Sequence, residues 1–122
     1  MGFEKEREVV GEVVQFLQEN DYQVTRVFDG EEYMEKPDLE EALQNNDIEA
    51  ITEYTAAAES GSVMFKDPDG QRFAIHMIYG NSPEEAIADI SASNDEALDR
   101  GVALVNARLE DLTEETGVSP SL

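Results

Sequence analysis

Carboxylates are the side chains whose number and spacing offer the most chemistry in this chain. The 122 residues include 29 aspartates and glutamates but only eight lysines and arginines, for a formal net charge of −21. The densest run falls in residues 29–60, where eleven acidic residues accompany a single base, Lys36. Helical carboxylates three or four residues apart lie about 5–6 Å from each other, comparable with the spacing of phosphates along a DNA strand. A fixed array of this kind can present to a basic groove the charges that a nucleic acid presents.

This acidic run predicts a binding surface for a basic protein. A net charge of about 2–8 is enough to keep a small domain soluble, so the excess charge favours a bound partner. Any one of these carboxylates is also consistent with an ordinary solvated helix face. The residues expected to contact the partner are Glu31, Glu32, Glu35, Asp38, Glu40, Glu41 and Glu49.

The composition resembles that of phage-encoded DNA mimics and anti-defence proteins, which are small and acidic. The resemblance implies an interaction protein that binds and inhibits a basic nucleic-acid-binding partner by mimicking the charge of DNA. Two alternatives stay open: an acidic homodimeric chaperone or adaptor for a basic client protein, and a salt-adapted domain with another role. Because only eight lysines and arginines are present to displace counterions from phosphates, we expect no direct binding to nucleic acid.

Groups suited to catalysis or metal binding are few. His76 is the only histidine, and alternation places it on the strand face opposite Phe73 and Ile75, with no recognisable serine and carboxylate partners. The DPDG sequence at residues 67–70 is similar to the start of a calcium loop, but the twelfth position, which requires glutamate, is Ile78. The absence of cysteine excludes thiolate metal sites and disulfides. We therefore expect no catalytic residues, no metal, no cofactor and no enzymatic activity.

Periodicity predicts the N-terminal elements that must position these side chains. Apolar residues at helical spacing predict a helix over residues 3–19, and β-branched and aromatic residues predict a strand over 22–28. Asp29-Gly30 is typical of a two-residue hairpin turn, so a short return strand is expected at residues 31–34.

The middle of the chain predicts a helix pair and a hairpin. Pro37 opens the first helix, Asp47 is the expected N-cap of the second, and Gly61 is the expected stop signal. Residues 63–79 alternate around the DPDG turn, as a β-hairpin does.

The C-terminal part predicts two further helices. Ser82 and Glu85 form a capping-box pattern around Pro83, and Ser93 and Glu96 form a second one, so a break is expected between the helices. An apolar seam then continues to the end of the second helix.

Together these elements predict an α+β fold in the order α-β-(β)-α-α-β-β-α-α. The hairpin at 63–79 and the strand at 22–28 form a small, mostly antiparallel sheet, and amphipathic helices pack against it. We expect one acidic domain over residues 1–115 and a frayed tail at 116–122. No apolar run approaches the ~20 residues of a membrane span, and the charged N-terminal stretch does not fit a signal peptide. A cytoplasmic protein without membrane association is therefore expected.

The charge imbalance predicts that added salt stabilises the fold. The Debye length falls from about 30 Å at 0.01 M salt to about 3 Å at 1 M, so repulsion among the carboxylates weakens. The melting temperature, followed by circular dichroism in NaCl between these concentrations, should rise. A flat or falling melting temperature would mean that the carboxylates are already compensated within the fold.

Overall fold

The computed structural model of the protein describes residues 4–80 and 85–116. Within them are four helices, α1 (Glu4–Glu19), α2 (Lys36–Gln44), α3 (Ile48–Ala56) and α4 (Asp95–Thr116). The same ranges contain four strands, β1 (Gln23–Phe28), β2 (Ser60–Lys66), β3 (Arg72–Ile78) and β4 (Ile87–Ala92). The strands form one antiparallel sheet in the order β1-β2-β3-β4. This architecture confirms the predicted α+β class, with helices packed on a small antiparallel sheet.

The core lies between one face of the sheet and three helices. α1 packs between α3 and α4, these three contact the sheet, and α2 packs on α3. Four residues of the stripe predicted for α1 are fully buried, namely Val10, Val13, Val14 and Leu17, and the fifth, Phe3, lies outside the described residues. Burying a side chain of this size is worth about 1.5–3 kcal/mol. The sheet supplies Val63, Phe65, Phe73 and Ile75 from its two central strands, all buried.

The alternation predicted for β3 is confirmed. Its buried residues are Phe73, Ile75 and Met77. Its remaining residues, on the opposite face, are Arg72, Ala74, His76 and Ile78. One face of the sheet is therefore left without a helix among the described residues.

The return strand predicted at residues 31–34 is wrong. β1 pairs with β2, and residues 31–34 contribute a single bridge between Tyr33 and Phe28. The carboxylate of Asp29 accepts hydrogen bonds from the N–H groups of Glu31 and Glu32. This local pairing competes with the backbone hydrogen bonds that a return strand would form with β1.

The prediction that Gly61 stops a helix is also wrong. α3 ends at Ala56, and Gly61 lies in β2. A Cβ atom there would lie 2.6 Å from the carbonyl oxygens of both Phe28 and Thr55. Glycine is needed at this position because two backbone segments approach the strand, not because a helix ends.

A strand, β4, replaces the first of the two helices predicted in the C-terminal part. Ile87 and Ile90 are three residues apart, as on a helix, yet both pack against the core from a strand. The register of β4 shifts opposite His76 and Met77, which leaves Ala88 as an extra residue. This bulge separates two inward positions by three residues instead of two. The helix prediction failed because the bulge gives a strand the apolar spacing of a helix.

α4 begins near the predicted break but at a different cap. Asn94 Oδ1 accepts a hydrogen bond of 2.8 Å from the N–H of Ala97, whereas Ser93 Oγ donates to Gln71 Oε1 at 2.9 Å. The cap predicted at Ser82 lies outside the described residues, as does the tail predicted at 116–122 apart from Thr116, which is the last residue of α4. Of the helices in 4–80 and 85–116, none combines the length and apolar composition needed to span a bilayer.

The close approach of α4 to β3 depends on Gly101. A Cβ atom at this position would overlap the ring of Phe73, which is fully buried and cannot swing away. We expect Gly101→Ala to lower the free energy of unfolding by about 1–3 kcal/mol through overpacking, although alanine favours a helix. Urea unfolding measures this change.

Gly11→Ala is the matched control, because it also adds a methyl group to a buried helical glycine. There the new Cβ would lie 3.2 Å from Ile48 Cγ2, which a small side-chain shift relieves. The gain of about 1 kcal/mol in helix propensity should offset that strain. Equal destabilisation by the two substitutions would show that the Phe73 contact does not limit the packing of α4.

Candidate functional site

The predicted binding residues lie on α2, α3 and the loop between β1 and α2, which together we call the acidic surface. Pro37 occupies the first turn of α2, where its missing N–H is not needed. α3 begins at the predicted cap, since Asp47 Oδ1 accepts a hydrogen bond of 3.1 Å from the N–H of Ala50. All the predicted residues are exposed on this surface, namely Glu31, Glu32, Glu35, Asp38, Glu40, Glu41 and Glu49.

Short hydrogen bonds hold the loop between β1 and α2. Asp29 Oδ1 accepts from the N–H groups of Glu31 and Glu32, at 2.8 and 2.7 Å. The N–H of Met34 donates to the carbonyl of Val27 at 2.8 Å and ties the far side of the loop to β1. The backbone N–H of Glu32, followed by that of Glu31, lowers the pKa of the Asp29 carboxyl. The backbone that carries Glu31 and Glu32 is therefore fixed relative to the sheet.

Tyr54, on α3, lies close to carboxylates from both the loop and α2. Its hydroxyl donates to the carbonyl oxygen of Glu32 at 3.4 Å. Burial is the largest cause of the raised pKa of its phenol, and the negative charges of four carboxylates raise that pKa further. These carboxylates belong to Asp29, Glu32, Glu35 and Asp38. We call these four carboxylates and the Tyr54 hydroxyl the patch around Tyr54.

A shallow groove of about 130 Å³ adjoins this patch between α2 and α3. Asp38 and Glu41 line it from α2, and Asp47 lines it from the start of α3. Asp38 lines the groove and is also one of the four carboxylates that act on Tyr54, so the groove and the patch around Tyr54 are continuous. Across the described parts of the chain, no set of three or more His, Cys, Asp or Glu side chains is arranged to hold a metal ion.

Ion pairs elsewhere in the fold use three of the arginines. In the described ranges they are Arg7–Glu53, Arg100–Asp69, Arg100–Glu96 and Arg108–Glu12. The first pair joins α1 to α3, the second joins α4 to the hairpin turn, the third lies within α4, and the fourth joins α4 to α1. None of these pairs includes a predicted binding carboxylate, so those side chains are left to solvent or to a partner.

His76 links the three strands β2, β3 and β4. Its Nδ1 is hydrogen-bonded to Ser62 Oγ at 2.7 Å, and its Nε2 to Ser91 Oγ at 3.0 Å. A neutral imidazole donates through one nitrogen and accepts through the other, so the two hydroxyls satisfy both. In a catalytic triad a carboxylate orients the imidazole, and here hydroxyls occupy both ring nitrogens. Sequence analysis missed both serines, because each comes from a different strand.

The sheet face opposite the helices, which we call the outer face, differs in charge from the rest of the molecule. Strand register places Arg26, Lys66 and Arg72 on it, and Asp89 is the acidic residue that the paired strand positions place there. By sequence, residues 61–79 are neutral, with two aspartates against Lys66 and Arg72. These aspartates, however, lie away from this face, because Asp67 is buried and Asp69 binds Arg100. Strand alternation was the signal from which this segregation could have been predicted.

The outer face also carries the exposed large hydrophobic residues of the described chain. These are Tyr33, 45% exposed, and Ile78, 48% exposed. Tyr33 packs on Phe28 with ring centroids 4.8 Å apart, and the guanidinium of Arg26 lies 4.6 Å from the Tyr33 centroid. Lys66 and Arg72 lie at the opposite end of the strands from Ile78.

Comparison with known proteins identifies no family model, no curated relative and no solved structure that matches this chain. The surfaces described above are therefore the basis for inferring its function.

Neutralising the carboxylates around Tyr54 should lower the pKa of its phenol. In the triple variant Glu32→Gln, Glu35→Gln, Asp38→Asn the tyrosinate anion is repelled less strongly, so it forms at lower pH than in the wild type. The pH titration of tyrosine labelled with ¹³C at Cζ, followed by NMR, measures this shift.

A control variant, Asp95→Asn, Asp99→Asn, Glu110→Gln, removes the same charge from exposed positions on α4. Its Tyr54 titration should stay close to that of the wild type. Equal shifts in the two variants would mean that net charge, and not a local patch, controls the phenol.

Proposed function

We propose that the protein binds a basic nucleic-acid-binding protein through its acidic surface and inhibits that partner by occupying its nucleic-acid site. The observation that carries this proposal is the exposure of all seven predicted carboxylates on the acidic surface, with the loop tied to α3 through the hydrogen bond from Tyr54 to Glu32. Exposed carboxylates held on one folded surface can together face one groove lined by arginine and lysine. A phage anti-defence protein would act in this way on a host enzyme that binds DNA.

The backbone under these carboxylates is held in place without a partner. Asp29 fixes the loop, and Asp47 caps α3. Ordering a long side chain on binding costs about 0.5–1.5 kcal/mol, and a flexible acidic tail would add the entropy of its backbone. A preformed surface avoids the backbone part of that loss. Its field also accelerates encounter with a basic partner, an effect that salt weakens.

The distribution of charge favours this proposal over salt adaptation. Carboxylates that serve only to hold water and cations would be expected on every exposed surface. Here the outer face carries Arg26, Lys66 and Arg72 against Asp89, while the segment 29–60 carries eleven acidic residues and one base. Such segregation is what an interaction surface requires.

A chaperone for a basic client is the less favoured alternative. Chaperoning requires an exposed apolar patch larger than several hundred Å². In the described chain, Tyr33 and Ile78 are the exposed large hydrophobic residues. The binding role proposed here therefore relies on charge, and it assigns no catalytic step to any residue.

The proposal predicts a partner whose binding to DNA is competitive with binding to this protein. The partner would be captured from host lysate, identified by mass spectrometry, and then purified with a labelled duplex that it binds. Wild-type protein should displace the duplex. The variant Glu32→Gln, Glu35→Gln, Asp38→Asn, Glu41→Gln should bind the partner about tenfold more weakly or worse, with a lower and less salt-dependent association rate.

The matched control removes four charges from α4 instead, as Asp95→Asn, Asp99→Asn, Glu110→Gln, Asp111→Asn. It should keep most of the wild-type affinity. If the acidic-surface variant binds as tightly as the wild type, the binding site lies elsewhere. If the partner binds this protein and DNA at the same time, the mimicry is wrong.

A further inference from the structure

Three bases lie together at one end of the outer face, and we call them the basic cluster. Lys66 and Arg72 are directly opposite each other across β2 and β3, and residues in such positions have Cβ atoms about 4.5–5.5 Å apart. Arg26, on β1, is opposite Met64. It is therefore the diagonal neighbour of Lys66, at a distance of about 7–8 Å. All three basic side chains are exposed.

The fold does not neutralise the basic cluster. In residues 4–80 and 85–116 the ion pairs involve other arginines, and none of these three bases forms one. Asp89, the acid that register places on this face, lies opposite His76, four residues along β3 from Arg72. Like charges directly opposite each other destabilise a sheet. In a chain with 29 acidic residues, this opposed pair of bases is a local cost that a bound anion would remove.

We propose that the basic cluster binds an acidic segment of a partner protein, in extended conformation and with carboxylates at every second position. Alternate side chains of an extended chain lie about 6–7 Å apart, which is within the range of distances that separates the three bases. The guanidinium of Arg72 can donate two parallel hydrogen bonds to one carboxylate, and Lys66 binds the next as a point charge. Recognition of acidic motifs by clustered bases is a recurring mode of peptide binding.

Arg26 is already held in a position to contribute. Its guanidinium lies 4.6 Å from the ring centroid of Tyr33, and that ring packs on Phe28. A guanidinium stacked on an aromatic ring keeps the N–H groups at its edge available to a carboxylate. Because the side chain is held before binding, less conformational entropy is lost when the segment binds.

The chemistry of the face favours an acidic peptide over a nucleic acid. Binding of a nucleic acid requires a basic stripe that follows several phosphates. Here the rest of the face carries the hydroxyls of Ser62 and Ser91 and the carboxylate of Asp89. A nucleic-acid strand would also bring a charge about every 3.4 Å towards a molecule of net charge −21. A segment with two or three carboxylates brings only as many charges as the cluster can pair.

The acidic helices leave this contact possible. They pack on the other face of the sheet, and layers of secondary structure lie about 10 Å apart. The Debye length at physiological ionic strength is about 8 Å. A carboxylate on the outer face therefore interacts mainly with the bases beside it. The acidic surface on α2 and α3 stays exposed, so this contact does not depend on the function proposed above.

Titration of the ¹⁵N-labelled full chain with a short peptide in which glutamate alternates with valine tests the proposal. Amide signals around the basic cluster on β1, β2 and β3 should shift, with half-saturation at about 1 mM peptide or below. Signals of α2 and α3 should not shift. The same peptide with glutamine in place of glutamate should leave the signals of the cluster unchanged.

The double variant Lys66→Gln, Arg72→Gln removes the opposed pair. It should bind the glutamate peptide roughly three- to thirtyfold more weakly, as expected for the loss of two exposed ion pairs. The matched control is Lys5→Gln, Lys36→Gln, which changes the net charge equally at exposed positions on α1 and α2. It should bind like the wild type. Circular dichroism first checks the fold of each variant.

Three results would overturn the proposal. The glutamate peptide could shift the signals of the cluster no more than the glutamine peptide does. The two double variants could weaken binding equally, in which case net charge accounts for the effect. A short single-stranded oligonucleotide of thymidine could bind the cluster as tightly as the glutamate peptide, which would show a phosphate site instead.

A peptide in which lysine replaces glutamate separates this proposal from the previous one. It should shift signals of α2 and α3 and not those of the basic cluster, because its charges match the acidic surface. Failure of the lysine peptide would count against the acidic surface as a binding site for bases. Failure of the glutamate peptide would count against the basic cluster alone.

Discussion

Repulsion among carboxylates is the constraint on which the arrangement of this fold depends. Each helix must bury an apolar stripe while it keeps most of its acidic residues in water, so three helices share one sheet face and turn most of their charges outward; Glu6 of α1 is the buried exception, and its Oε2 accepts a hydrogen bond from the N–H of Gly80. Arginines lie where acidic helices would otherwise meet. Arg7 joins α1 to α3, and Arg108 joins α4 to α1. Each exposed pair is worth about 0–1 kcal/mol, but it also removes a like-charge contact at the junction.

This use of arginine leaves the remaining bases unevenly placed. Arg26, Lys66 and Arg72 lie on the outer face, and the helices on the other side carry most of the acids. The molecule is therefore strongly dipolar as well as negative. A dipole orients a protein before contact, so a basic groove meets the helix side and not the sheet. Orientation of this kind is useful to a protein whose binding groups occupy only one side.

Periodicity in the sequence was sufficient for most of the fold. The stripe of α1, the cap at Asp47 and the alternation of β3 were all predicted, because each follows from contacts within one element. β4 was not predicted, because the extra residue Ala88 gives the apolar residues of this strand the three-residue spacing that is typical of a helix. The segment 31–34 was not predicted, because the side chain of Asp29 competes with sheet pairing.

The candidate site was only partly predictable for a similar reason. Exposure of the acidic residues follows from helix amphipathicity, and all those named from the sequence are exposed. Their grouping around Tyr54 depends on α3 folding back beside the loop that precedes α2, which no local pattern encodes. The link from Ser62 through His76 to Ser91 likewise requires the register of three strands.

The two register shifts in the sheet have a consequence for how the protein behaves when crowded. One lies between Val24 and Arg26 in β1 and the other at Ala88 in β4, so each edge strand carries an irregularity. A regular edge is a template for another chain, and its growth leads to cross-β fibrils. β4 has neither lysine nor proline to block such growth, but its bulge interrupts the row of N–H and C=O groups that an incoming strand would need. Many copies can therefore gather at high local concentration without one sheet seeding the next.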